Sequence, residues 1–322
     1  MKQCMQLSVY IVSYNQEAYI AEAIESVVTQ SVLPYELCIF DDHSTDGTWQ
    51  IIQQYQEKYP DLIKAYRHTV NQGIFRNFNY AESHLNGNLI TCVAGDDYIM
   101  PGYFEDVQEC IVKNQLNPDE DSFIIIPNVI NIDANNYKQY HSNVSLQNEK
   151  KLLSLRIRGM IDDRYGIVSR ASFEKIATYI ENIGIHADFV WGVDRYINTD
   201  RFFFIEGFYS VYRQSVGIVS RTKEIDAAKS LIKAIEIIKE RFINDLCQSN
   251  LRYLNYIQAK NKYLSQKSCR TYFLLFALTF LNMGNYGSFT KFVKAFVFIF
   301  LPASIKAIIF KSGFFKRLSN KL

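Results

Sequence analysis

Leu89-Ile-Thr-Cys-Val-Ala-Gly-Asp-Asp97 is an apolar, β-prone run that ends abruptly in a glycine and two adjacent carboxylates. Its length and composition are those of a buried strand. Two like charges at the end of such a strand are costly unless a cation or hydrogen bonds satisfy them. The same grammar recurs upstream. Leu7 to Val12 is apolar and gives way to Ser13-Tyr14-Asn15, and Leu37 to Phe40 gives way to Asp41-Asp42-His43-Ser44. Between these runs lie helical patterns: Glu17 to Thr29, with Ile20, Ala23, Ile24 and Val27 on one face, a stretch from Asp46 to Tyr55, and Phe75 to His84. Ile63 to Tyr66 supplies a further strand. Strands alternating with helices predict a doubly wound, mixed and mainly parallel sheet flanked by helices. Ligands of such sheets bind beyond the carboxyl ends of the strands, where the three polar clusters fall.

From about residue 120 the rhythm changes. Ser122 to Pro127 and Phe202 to Tyr212 read as strands, and Ala171 to Tyr179 and Phe189 to Asn198 as helices. Beyond Arg221 the chain becomes helical, with Ile225, Ala228, Ile232, Ile235, Ile238 and Phe242 on one face. The expected division is a catalytic domain over residues 1–220 and a basic C-terminal helical extension over 221–322.

Charge follows the same division. The 322 residues carry a formal +2, but no Asp or Glu follows Asp245, whereas 12 Lys and Arg do. The first 245 residues are left with 23 basic against 33 acidic side chains, a formal −10. That pattern points to an anionic partner for the tail alone, a membrane surface rather than a nucleic acid. Thr271 to Leu281 and Ala295 to Ile305 are strongly apolar and flanked by Lys and Arg, yet each run has only 11 residues. Spanning a bilayer takes about 20, so the expectation is attachment in the interface of an anionic leaflet. The six cysteines show no metal-ligand spacing, and Met1 to Leu7 holds no signal-peptide run, so a cytoplasmic enzyme with free thiols, peripheral on the inner membrane, is expected.

The ordered signatures resemble a known family. Leu7-Ser-Val-Tyr-Ile-Val-Ser-Tyr-Asn15, Asp41-Asp-His-Ser-Thr-Asp-Gly-Thr48, Asn71-Gln-Gly73 and Gly95-Asp-Asp97 look like those of family 2 inverting glycosyltransferases of GT-A fold, of the bacterial surface-polysaccharide type. The resemblance covers roughly the first 215 residues. It implies a UDP-sugar donor held by Ser13, Tyr14, Asn15, Glu17, Asp42, Arg76 and Asp96. It gives Asp97 to a divalent cation, Mg²⁺ or Mn²⁺, that neutralises the leaving diphosphate. The family often writes this element Asp-x-Asp-Asp; here Ala94 stands at the first acidic position.

A general base must also take the proton of the acceptor hydroxyl. In the family it precedes a helix about two dozen residues ahead of a Tyr-Arg pair. Tyr212-Arg213 is that pair, Asp188 lies 24 residues upstream and Asp194 18, and Asp188 is the preferred candidate. Trp191 is placed to stack on an acceptor sugar, and Arg213 and Arg221 to hold diphosphate groups. Ser215 stands where many relatives have His, so no role is carried over there. Asp46 reads as a helix cap, and the histidines as ordinary packing or surface residues. The implied acceptor is a saccharide, carried on a polyprenyl diphosphate. The competing readings are a nucleotidyltransferase, whose Gly-rich phosphate loop Ser13-Tyr14-Asn15-Gln16 does not provide, and an inactive nucleotide- or carbohydrate-binding scaffold.

Overall fold

The computed structural model describes residues 5–143, 149–176, 183–214 and 216–266, together with Leu274. Both apolar tail runs therefore lie outside the described residues, Leu274 apart. By its internal contacts the chain forms two compact units, one of residues 1–182 and 187–221, the other of 183–186 and 222–322.

The first unit begins with the expected alternation: β1 (Leu7–Ser13), α1 (Ile20–Val28), β2 (Glu36–Asp41), α2 (Thr48–Lys58), β3 (Ile63–Arg67), α3 (Ile74–Glu82) and β4 (Leu89–Ala94). β5 (Tyr98–Ile99), α4 (Tyr103–Lys113), β6 (Phe123–Ile132), β7 (Lys138–His141), α5 (Glu149–Ile157), β8 (Ile167–Ser169), α6 (Arg170–Phe173), α7 (Ala187–Asn198), β9 (Arg201–Arg213) and α8 (Gly217–Arg221) complete it. One sheet runs β3-β2-β1-β4-β8-β6-β9-β5, and β7 pairs antiparallel with the later half of β6. β3 through β4 are parallel, β8 is antiparallel to both its neighbours, and β6 and β9 pair in parallel. The expected mixed, mainly parallel sheet is thus present.

Burial explains the apolar runs. Every residue of β1 and β2 is buried, as befits central strands covered on both faces. Ile20, Ala23, Ile24 and Val27 of α1 pack with Leu7, Val9, Ile11, Leu37 and Ile39 in the main core. Several details differ from the expected elements, β5, β7, α5 and β8 among them. α1 starts at Ile20 because the carbonyl of Gln16 first accepts the amides of Tyr19 and Ile20, closing a turn (both 2.9 Å). The helix expected over 171–179 is only α6, followed by turn residues to 176; residues 177–179 lie outside the described residues. α4, an amphipathic helix not anticipated, buries Tyr103, Phe104 and Val107.

In the second unit α9 (Glu224–Phe242) and α10 (Gln248–Gln266) form an antiparallel helical pair. Lys239 donates to Gln258 (2.6 Å) and Gln258 to Glu236 (2.9 Å). Ala228, Ala234, Ile235, Ile238 and Phe242 are buried, whereas Ile225, expected on that face, is 47% exposed in the first helical turn. His186 donates its backbone N–H to the Ser230 hydroxyl at 3.0 Å. Among the described residues no helix is long and apolar enough to cross a membrane.

Candidate active site

β1 is flanked by β2 on one side and β4 on the other, so chain order reverses there, and in doubly wound sheets such a reversal opens a crevice beyond the strand ends. Most side chains after β1 and β2 build this crevice rather than line it. Asp41, wholly buried, accepts the Ser44 amide at 3.0 Å and the Ser44 hydroxyl, and it pairs with Arg67 at 3.2 Å. Asn15 sits at φ 52°, donates its amide to Ser44 Oγ (2.9 Å) and accepts the Thr45 amide (2.8 Å). Glu17 accepts the Gly47 amide at 2.9 Å. Asp46 accepts from the Thr48 amide (3.0 Å) and from the Glu17 amide (3.2 Å), but Gly47 holds the cap position of α2 without a side-chain cap, so the expected capping role is not filled by Asp46. Asn15 and Glu17 thus staple the first loop to the second. Ser13 is buried, and its hydroxyl meets no hydrogen-bond partner among the described residues. Tyr14 is 44% exposed, an open ring at the strand end.

Asp42 is 2% exposed, and its two oxygens accept the amides of Gln72 (2.7 Å) and Gly73 (2.8 Å). Gly73 has φ +87°, a conformation that suits glycine, and leads directly into α3. Asn77 donates to the Phe40 carbonyl at 3.0 Å and tethers α3 to β2. Asp42 therefore fixes the Asn71-Gln72-Gly73 loop. Each oxygen keeps a second lone pair. Arg76 lies exposed on the first turn of α3.

Asp96 and Asp97, 9% and 2% exposed, stand in the turn between β4 and β5. Gln16 packs close beneath Gly95: a Cβ there would lie 2.2 Å from its Oε1, so a larger residue would displace the end of that side chain. Asp97 accepts the Arg213 amide (2.7 Å) and the Tyr165 hydroxyl. Burial and the neighbouring Asp96 charge nevertheless push its carboxyl up to about 7. Burial also raises Asp96, against the opposing pull of its own backbone amide, Arg213, Gln16 and Arg221. The Arg213 guanidinium donates to the Asp96 carbonyl at 2.6 Å and pairs with Glu22 of α1 at 2.5 Å. Gly217, at φ +81°, begins α8 so close that a Cβ would be 2.7 Å from Asp96 Oδ2.

Tyr165 was not foreseen. It belongs to Asp162-Asp163-Arg164-Tyr165, between α5 and β8, a segment without the apolar-run-then-polar pattern. Tyr165 sits at φ 57°, and its carbonyl accepts the hydroxyls of Thr91 (3.0 Å) and Tyr103 (2.5 Å). Arg164 pairs with Asp162 at 2.7 Å and stacks on Tyr212, its guanidinium 3.7 Å from the ring centre. Asp163, 4% exposed, lies between Arg156 of α5 (3.1 Å) and Arg195 of α7. Burial works against its charge, yet the two guanidinium groups outweigh it and hold the carboxyl below its usual range. This ionic knot ties two helices to the segment that delivers Tyr165 to Asp97.

On α7 the two base candidates differ. Asp188 is exposed in the first turn, within electrostatic reach of Arg156. Asp194 is 5% exposed and accepts from the Asn198 side-chain Nδ2. A base must meet an incoming hydroxyl, so exposure favours Asp188. Trp191 is half-buried, and the Arg195 guanidinium lies over one face of its ring at 4.6 Å. Arg221, at the end of α8, is exposed.

Among the described residues no group of three or more His, Cys, Asp or Glu converges as a metal cage. Asp96 and Asp97 nonetheless fit a hard divalent cation. Both are buried carboxylates whose charged form burial disfavours, a penalty that a cation would offset, and Mg²⁺ is often held by one or two carboxylates with substrate phosphates supplying further oxygens. Cys38, Cys92, Cys110 and Cys247 are free thiols, and burial pushes Cys38 up to about 12.

A parallel β3-β2-β1-β4 sheet carrying a carboxylate pair beyond β4 is the arrangement of a GT-A glycosyltransferase domain. The TarS protein of S. aureus (residues 1–349, solved with UDP-GlcNAc) shares this fold, with a TM-score of 0.60 at 20% identity over 90% of this chain and 81% of that one. Residues 8–177, a little over half of the sequence, match the model of glycosyl transferase family 2, and the chain belongs to that family. It is 39% identical over 100 residues to the EpsE protein of Bacillus subtilis and 32% identical over 105 residues to the chondroitin synthase of Escherichia coli. These stretches take in 31% and 33% of this chain but only 36% and 15% of those relatives.

Proposed function

We propose that this chain transfers a hexose or N-acetylhexosamine from a UDP-sugar to a saccharide hydroxyl, with inversion, in the synthesis of a bacterial surface polysaccharide. The observation that carries the reading is the buried Asp96–Asp97 pair at the end of β4, beside the open crevice after β1. Family membership supports glycosyl transfer, the chondroitin synthase relative supports a polysaccharide product, and UDP-GlcNAc in TarS supports a UDP-linked donor.

Tyr14 offers an open face to the base, Arg76 an exposed cation, and Asp42 holds the loop beneath them. Asp96 meets the ribose or donor sugar. Asp97 with Asp96 would hold Mg²⁺ or Mn²⁺, which supplies charge neutralisation for the diphosphate. Arg213 and Arg221 add guanidinium donors matched to phosphate oxygens. The acceptor oxygen attacks the anomeric carbon, the bond from that carbon to the diphosphate oxygen breaks, UDP leaves, and the hydroxyl proton passes to Asp188. Residues 221–322 serve as a basic, membrane-associating extension at the cytoplasmic face, bringing the enzyme to a polyprenyl-diphosphate-linked acceptor.

The test is a donor screen of UDP-Glc, UDP-Gal, UDP-GlcNAc and UDP-GalNAc with a metal titration, run on the wild type and on Asp97→Asn. Release of UDP from at least one donor, abolished by Asp97→Asn with the fold intact, is expected. Equal turnover by the variant would sink the assignment.

A further inference from the structure

Arg213 faces two ways. Its amide and one guanidinium nitrogen hold the Asp96–Asp97 turn, while the rest of its side chain forms one wall of a separate cleft of about 370 Å³. That volume lies within the range of small-molecule sites, about 300–1,000 Å³. The cleft is bounded by the start of α1, by β5 and by the tip of the β6–β7 hairpin. Its aromatic walls are Tyr19 and Tyr98, whose ring centres lie 5.3 and 4.8 Å from the Arg213 guanidinium.

The lining suits one kind of ligand. Two cations, Lys138 and Arg213, stand against two carboxylates, Glu22 and Asp133, so the cleft carries no net formal charge. A polyanion would find its attraction cancelled, and a purely apolar ligand would strand Lys138 and the free oxygen of Asp133, since Arg213 and Glu22 already pair with each other. A pyranose ring has what the walls lack: an apolar C–H face to lie on tyrosine and a rim of hydroxyls to meet carboxylate, ammonium and guanidinium. Tyr137, on the same hairpin, is 64% exposed and extends the aromatic surface outward.

We propose that this cleft is a saccharide subsite, taking a neutral pyranose unit of the acceptor chain alongside the sugar that reacts. It gives Glu22, Tyr98 and the hairpin tip a role that the donor crevice does not use. The proposal rests on the Asp96–Asp97 turn being the centre of transfer.

Saturation-transfer NMR on the full chain tests it, with 4-nitrophenyl glycosides of glucose, galactose, N-acetylglucosamine and N-acetylgalactosamine as probes and UDP observed in parallel. Ala134→Trp fills the cleft from an exposed hairpin position without removing a core side chain, and Tyr98→Ala removes one wall. Saturation of at least one glycoside by the wild type is expected, falling at least fivefold in both variants while the UDP signal persists. No glycoside signal from the wild type, or one that survives Ala134→Trp, overturns the proposal. UDP that fails to bind the wild type, beside a glycoside signal that Ala134→Trp removes, would refute the donor assignment and leave the cleft standing as a sugar site.

Discussion

The Arg156–Asp163–Arg195 knot makes a sharp demand on stability. Asp163→Ala would leave two guanidinium groups facing each other with their counter-charge gone, inside packing so close that Gly192 has no room for a Cβ beside Arg156. Breaking a buried ion pair by removing one member costs about 3–5 kcal/mol, because the remaining charge is uncompensated. Arg156 keeps 16% of its side-chain surface exposed, which offers partial relief and puts the expectation at the lower end of that range. At about 2–4 °C per kcal/mol for a unit of this size, the melting temperature should fall by about 6–12 °C. Because the folded-state pKa of Asp163 is depressed, its contribution is present above the unfolded value of about 3.9 and is lost as pH falls below it. The gap between wild type and variant, measured by calorimetry from pH 7 down to pH 3, should therefore narrow at the acid end. Replacing the whole knot, Arg156→Met with Asp163→Leu and Arg195→Met, removes every buried charge and keeps apolar volume against Trp191. That triple variant should recover most of the loss. A deficit of Asp163→Ala below about 1 kcal/mol, or a triple variant less stable than Asp163→Ala, would refute the reasoning.

Three further outcomes are expected. Asp42→Asn turns one acceptor oxygen into an NH₂ group facing a loop amide; losing a charge-assisted bond of about 1.5–3 kcal/mol should weaken UDP binding roughly 10- to 150-fold by calorimetric titration. Glu82, pushed up to about 8 by burial, is proton-bound in the folded chain and ionised in the unfolded one between about pH 4.5 and 8. Stability should thus fall with rising pH there by about 1.4 kcal/mol per unit from this group, and Glu82→Gln should flatten that slope in urea titrations. Gly217→Ala combines φ +81° with a contact on Asp96 Oδ2; it should lower UDP-sugar turnover severalfold while costing about 1–2 kcal/mol of stability.

How much of this was legible in the sequence follows from which interactions are local. The strands β1 to β4 announced themselves because burial on both faces demands apolar runs and the chain must turn at each end. Asp96 and Asp97 stood out because paired charges there have few structural excuses. The sequence could not show that Asn15, Glu17 and Asp42 would spend their hydrogen-bonding groups on loop amides, since those partners lie about 30 residues away. Tyr165 was invisible for the same reason: it reaches Asp97 across 68 positions from a turn that looks like any polar loop. The Arg195 guanidinium over the Trp191 ring is likewise a contact that only the fold reveals.

The two donors that Asp97 accepts carry a consequence for how the molecule is made. β1 to β4 and the Asp96–Asp97 turn are all encoded before residue 98, so a growing chain has the sheet and the carboxylates early. The Tyr165 hydroxyl and the Arg213 amide arrive 68 and 116 residues later. Until then two adjacent carboxylates stand at the end of a buried strand without the groups that steady them. The carboxylate turn is therefore completed only by segments encoded well after it, and a chain ending before β9 would lack the Arg213 amide that Asp97 accepts.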